Sequence, residues 1–201
     1  MKASHFILLL IAFLTGFAAV AGTLFLSKPY VFNGVTLDPP VEIEDFALID
    51  QHGQRFSLRD QTDKIVLIFF GYTHCPDICP VTLSDFRDIK SKLGDLDDQV
   101  EFVFITVDPE RDTPEQIYTY LQIFENGILG LSGERYELEK VWESFFVYQE
   151  KVDAGSEAGY LVDHTSRVYL VDKQGELRLT FHFGTTSNEM AEDIIYLLGR
   201  E

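Results

Sequence analysis

A chain of 201 residues, 46% hydrophobic and 13% aromatic, has room for one ordinary domain plus a terminal extension, and it is too apolar to be disordered. Its formal net charge of −17 would repel phosphate backbones, which argues against a nucleic-acid partner. Only two cysteines are present, four residues apart, so no disulfide framework staples the fold.

Residues 1–5 form a short N-terminal tail. Residues 6–26 are an uninterrupted apolar run, flanked by Lys2 and Lys28. A bilayer-spanning helix needs about 20 such residues. Ala19-Val20-Ala21 resembles a signal-peptide cleavage site, but the run continues through Leu24, Phe25 and Leu26 and therefore reads as a retained transmembrane anchor. Anchor or signal, the segment exports the rest of the chain. The expected location is the bacterial inner membrane, single-pass, with the soluble domain on the periplasmic side. Residues 27–41, with Pro29, Gly34, Pro39 and Pro40, read as a linker, and 42–201 as the folded domain.

Within that domain, Phe46–Leu48 and Arg55–Leu58 flank Asp50-Gln51-His52-Gly53, a short hairpin. Ile65–Phe70 is an apolar run ended by Gly71 and predicts a strand buried on both faces. The cysteine segment comes next, and Pro80 opens a helix carrying Leu83, Phe86, Ile89 and Leu93 up to Gly94. Val100–Val107 predicts a second buried strand. Thr113-Pro114-Glu115-Gln116 is a capping box for a helix with Ile117, Tyr120, Leu121 and Phe124 on one face. Leu138, Val141, Trp142 and Phe145 imply another helix. Val168–Val171 and Leu177–Phe183, joined by Asp172-Lys173-Gln174-Gly175, predict a hairpin. Thr186 and Glu189 cap a last helix bearing Ala191, Ile194, Ile195 and Leu198. This order predicts an α/β fold with a mainly parallel central sheet and an antiparallel C-terminal hairpin. A cysteine pair at the first strand-to-helix junction places it near thioredoxin.

Cys75 and Cys79 are spaced C-x-x-x-C, one residue longer than the redox C-x-x-C. Residues four apart in a helical turn share a face, roughly 6 Å apart along the axis, so both sulfurs can converge on one ion or on each other. A bridge closing so short a loop contributes only about 2 kcal/mol to stability, a poor reason for the pair to exist. The helix N-terminus favours thiolates. Two thiolates in an exported domain suit a soft ion such as Cu(I), with Cu(II) as a second state and Zn(II) as a competitor. A dithiol reductase is the alternative reading, with Cys75 and Cys79 as its redox-active pair.

Of the five histidines, His5 begins the apolar run, His52 falls in a polar turn, and His182 lies on the polar face of a strand. His74 adjoins Cys75, and neighbours in sequence seldom converge on one ion. His164, in Leu161-Val162-Asp163-His164-Thr165, is on the connection before the C-terminal hairpin, which in a thioredoxin-like layout passes near the cysteine turn. An ordinary loop histidine is its alternative. Asp77 and Asp163 read equally as turn residues or as groups that orient the site. The charged loop Asp108–Asp112 reads as architecture, with part of a docking surface as its alternative.

Three stretches, Gly71–Pro80 (GYTHCPDICP), Thr106–Pro114 (TVDPERDTP) and Tyr160–Asp172 (YLVDHTSRVYLVD), resemble the Sco/SenC family of copper-binding assembly proteins, in matching order and spacing. The resemblance spans about residues 40–200. It implies a thioredoxin-like fold and a copper site of Cys75, Cys79 and His164. It also implies delivery of copper to the binuclear copper site of cytochrome c oxidase subunit II, with another copper carrier as donor, or reduction of the cysteines of that site. A membrane tether suits either role, because it confines the domain to the surface where the oxidase is exposed.

Overall fold

The structure is a computed structural model that describes residue 5 and residues 10–17, 29–124, 127–156 and 159–199. The chain divides into two units, Met1–Val31 and Phe32–Glu201. In the first, residues 10–17 are helical. Among the described residues no helix is long and apolar enough to cross a membrane, and most of the expected anchor lies outside them.

The second unit runs β1 (Val35–Glu42), β2 (Ala47–Asp50), β3 (Arg55–Ser57), β4 (Ile65–Gly71), α1 (Ile78–Leu93), β5 (Val100–Thr106), α2 (Pro114–Leu121), β6 (Ile128–Ser132), α3 (Arg135–Ser144), β7 (Gln149–Ser156), β8 (Gly159–His164), β9 (Arg167–Val171), β10 (Glu176–His182) and α4 (Ser187–Leu198). Eight strands form one sheet in the order β1-β10-β9-β4-β5-β6-β2-β3, and β7 pairs with β8 in a separate two-stranded sheet. The expected parallel centre is β4–β5–β6. Both flanks pair antiparallel, so the sheet as a whole is mixed.

Every residue of β4 is buried, as its unbroken apolar run requires of a strand covered on both faces. α1 and α4 pack together, α2 lies against β6, and α3 against β2. The core contains Phe69, Phe70, Phe86, Phe102, Phe104, Phe145 and Phe181, all fully buried. Thr186 and Glu189 cap α4 reciprocally, and Thr113 accepts from the Gln116 amide at the start of α2.

Three features differ from the sequence expectation. Residues 35–41, expected as linker, belong to β1, which pairs with β10 and satisfies backbone groups that would otherwise form a bare sheet edge. Pro39 and Pro40 are tolerated there because an edge strand leaves one row of N–H groups unpaired, and the register shifts between Thr36 and Val41. α1 begins at Ile78, two residues before Pro80, which puts Cys79 inside the first helical turn. The stretch before β9 is a second hairpin, β7–β8, and His164 ends its second strand.

Candidate metal centre

Gly71 closes β4 on the floor of the site. A Cβ there would stand 2.9 Å from Cys79 Sγ, from Phe104 Cε2 and from Phe69 Cε1, so a side chain would displace the sulfur or the rings around it. The chain then turns. The Cys75 amide donates to the Tyr72 carbonyl at 3.2 Å, and the Val107 amide donates to the Gly71 carbonyl at 2.8 Å, which fixes the turn against the end of β5. α1 starts three residues after Cys75. Cys79 is fully buried, whereas Cys75 is half-buried.

The third group arrives from the β7–β8 hairpin. Gln149 pairs with His164 at the base of that hairpin, and the Thr165 amide donates to the Tyr148 carbonyl at 3.1 Å. His164 Nε2 lies 3.8 Å from Cys79 Sγ. One ligand atom from each of Cys75, Cys79 and His164 falls within 4.8 Å of the other two. Among the described residues this is the one group of three or more His, Cys, Asp or Glu side chains so placed. His5, His52, His74 and His182 stay outside it. His74 instead sits with Nδ1 at 3.0 Å from Thr73 Oγ1, and His182 lies beside Arg167. Asp77 is the N-cap position of α1 and Asp163 is exposed on β8, and neither belongs to the group.

The imidazole is oriented by its backbone neighbour. Its Nδ1 lies 3.2 Å from the Thr165 carbonyl oxygen, which only accepts, so Nδ1 is turned to donate there and Nε2 faces the sulfurs. Tyr72 meets the ring edge-to-face at 5.8 Å, and Phe69 does so at 6.2 Å.

The two thiols are electrostatically unequal. The Cys79 S–H donates to Cys75, and this is the main reason the Cys75 thiol is lowered to about 3. Partial burial opposes the shift, while His164 and the amides of Asp77 and Cys79 reinforce it. The Cys79 amide in the first turn of α1 lies 3.5 Å from Cys75 Sγ, the helix-terminus contribution expected for a thiolate. Cys79 moves up, first through the same hydrogen bond, then through burial and the neighbouring Cys75 charge. The pair therefore shares one proton: an accessible thiolate beside a buried thiol. Two soft sulfurs and one imidazole nitrogen form a donor set suited to Cu(I).

The charged loop after β5, read from sequence as architecture, holds the cysteine turn from below. Asp112 is fully buried, and its carboxylate accepts from the Thr73 amide at 3.0 Å, the Thr73 hydroxyl at 2.7 Å and the Thr106 hydroxyl at 2.8 Å. Thr106 accepts in turn from the Asp108 amide at 2.9 Å, and its carbonyl accepts from Trp142 Nε1 at 3.2 Å. Composition could not reveal this, because Asp-rich loops before capped helices are ordinarily solvated. The one available signal was the TVDPERDTP motif itself.

Comparison with known proteins accords with this architecture. The SCO1/SenC family model matches residues 35–199. An SCO2-like protein of Rickettsia prowazekii is 36% identical over 148 residues, covering 73% of this chain and 72% of the relative. The solved structure of Bradyrhizobium japonicum ScoI with copper bound superposes with a TM-score of 0.72 at 39% identity, covering 78% of this chain and 99% of that one. Apo Sco1 from Thermus thermophilus gives a TM-score of 0.74 at 33% identity, covering 87% of this chain and 100% of that one. With the cysteine turn, the histidine hairpin and the mixed sheet all in place, this chain belongs to the SCO1/SenC family.

Proposed function

We propose that this protein carries copper as cargo between Cys75, Cys79 and His164 and passes it to the binuclear copper site of cytochrome c oxidase subunit II, having received it from another copper carrier. The observation that carries this reading is the convergence of two sulfurs and one imidazole nitrogen within 4.8 Å of one another. The copper-bound structure of the related Bradyrhizobium protein supports it. Cys75 is the accessible sulfur, so it is the ligand that an incoming or outgoing partner reaches first, while buried Cys79 holds the ion until exchange is complete. Residues 6–26 would tether the domain to the inner membrane on its periplasmic side.

The test is anaerobic Cu(I) titration of the reduced protein against a competing chelator. One copper per chain is expected, with affinity lost in Cys75→Ser and strongly reduced in His164→Ala. Unchanged affinity in His164→Ala would remove the histidine from the site.

A second reading is favoured by the inequality of the thiols. A low-pKa, accessible Cys75 beside a buried Cys79 is the arrangement of an attacking and a resolving cysteine. In that role, the Cys75 thiolate attacks the disulfide of the oxidase site. Cys79 then displaces the mixed disulfide, leaving the partner as a dithiol and this protein as a Cys75–Cys79 disulfide. Weak copper binding with ready reduction of a cysteine-containing acceptor would favour this reading over copper delivery.

A further inference from the structure

The histidine and the cysteines reach the site on separately built parts of the fold. β4 and α1 carry the cysteines, whereas β7 and β8 form their own sheet, so no ladder hydrogen bond of the large sheet sets the height of His164 above the sulfurs. Polar ties cross this gap from the loop between β5 and α2, where Glu110 pairs with Lys151 on β7, and from Tyr72, which bonds the Val162 backbone on β8. The tie with the most contacts is Arg111 of the same loop. Its Nε donates to Asp108 Oδ2 at 2.5 Å, and one Nη donates to the Tyr160 carbonyl on β8 at 3.0 Å. Its guanidinium lies 3.7 Å from the centre of the Tyr160 ring and 5.8 Å from that of Tyr72. The Tyr160 hydroxyl closes the circuit by donating to the other oxygen of Asp108 at 2.8 Å. Asp108 is fully buried, and Tyr72 is the residue whose ring meets His164.

Arg111 therefore stands between an aromatic ring on the cysteine side and one on the histidine strand, anchored to a buried carboxylate. Its other Nη is buried without a hydrogen-bond partner, a cost tolerated only where the rest of the group is held in one place. The loop itself cannot drift from the cysteines, because Asp112 binds Thr73 and Val107 binds Gly71.

We propose that Arg111 is the positioning residue for His164: clamped by Asp108 between Tyr72 and Tyr160, it fixes β8 so that the imidazole meets the two sulfurs. The inference rests on the three-ligand copper reading. Without the clamp the hairpin samples more positions, and copper must order it on binding, which lowers affinity without touching a ligand. Lysine cannot replace arginine here, because it lacks both the fork that spans Asp108 and Tyr160 and the flat surface that stacks.

The test compares Cu(I) affinity, by anaerobic chelator competition on the full chain in detergent, for the native protein, Arg111→Gln, His164→Ala and the double variant. Arg111→Gln should bind copper ~10–100-fold more weakly, the range over which groups that orient a metal ligand act. It should add no further loss in the His164→Ala background, because the clamp acts only through the histidine. X-ray absorption of copper in Arg111→Gln should show weakened imidazole scattering with both sulfurs retained. Tyr160→Phe keeps the ring but loses the bond to Asp108, so it should give a smaller loss and decides the matter alone if Arg111→Gln does not fold. Native affinity in both variants would overturn the proposal, and so would an equal loss from Arg111→Gln with and without His164. Native protein binding copper no better than His164→Ala would instead refute the three-ligand reading beneath it.

Discussion

Replacing Asp112 should separate the support of the cysteine turn from its chemistry. The carboxylate is fully buried and takes hydrogen bonds from three donors on Thr73 and Thr106. In Asp112→Ala the Thr73 hydroxyl can turn to His74 Nδ1, already 3.0 Å away, but the Thr73 amide and the buried Thr106 hydroxyl lose their acceptor. Two orphaned donors at ~1–3 kcal/mol each give a gross loss of about 2–6 kcal/mol. Deleting a charge that burial disfavours returns part of this, so about 2–4 kcal/mol is expected net. Asp112→Asn keeps one oxygen for Thr73 and should cost only ~1 kcal/mol. Urea unfolding of the reduced fragment from Pro29 onward reads this out through Trp142, the single tryptophan, buried and bonded to the Thr106 carbonyl. A loss below ~1 kcal/mol in Asp112→Ala would refute the accounting.

The pH dependence of the same pair supplies a second check. Burial raises the Asp112 pKa, against the bonds from Thr73 and Thr106 that lower it. A carboxyl raised above its unfolded value of ~3.9 contributes stability that is present below that value and lost as pH rises through the folded one. The native protein should lose this contribution on going from acid to neutral pH, and Asp112→Asn should not. The Asn penalty should therefore shrink as pH rises. A penalty that grows would mean that the hydrogen bonds outweigh burial.

Gly71→Ala should destabilise the domain by about 1–3 kcal/mol, as overpacking of a well-filled core does, because the new methyl meets Cys79 Sγ and two rings at 2.9 Å. Chemical denaturation measures the loss, and a variant as stable as the native protein would show that the site has slack. Alkylation of the reduced, copper-free protein by iodoacetamide should occur at Cys75, at a rate nearly independent of pH from ~5 to 8, because that thiol is held at about 3 while Cys79 stays protonated and buried. A rate that climbs tenfold per pH unit up to an ordinary thiol pKa of ~8.5 would contradict the shared proton.

Much of the fold was legible because its elements obey local rules. An unbroken apolar run such as Ile65–Phe70 has one sensible place, at the centre of a covered sheet, and reciprocal caps such as Thr186 with Glu189 mark a helix start whatever surrounds them. Spacing alone put Cys75 and Cys79 on one turn. β1, by contrast, carries two prolines and is largely exposed, and only the vacant edge of β10 makes it a strand. The β7–β8 hairpin has no strong apolar alternation, so its strand character also comes from pairing rather than from composition. For the site, sequence determined the donor types and the facing of the two sulfurs, since both lie within one turn of chain. The tertiary structure brought His164, the histidine the family motifs point to, beside the sulfurs, and it set which thiol keeps the proton and tied Asp112 to the cysteine turn. Those properties depend on distances between residues far apart in the chain and on the exclusion of water around them, and neither is encoded in any single segment.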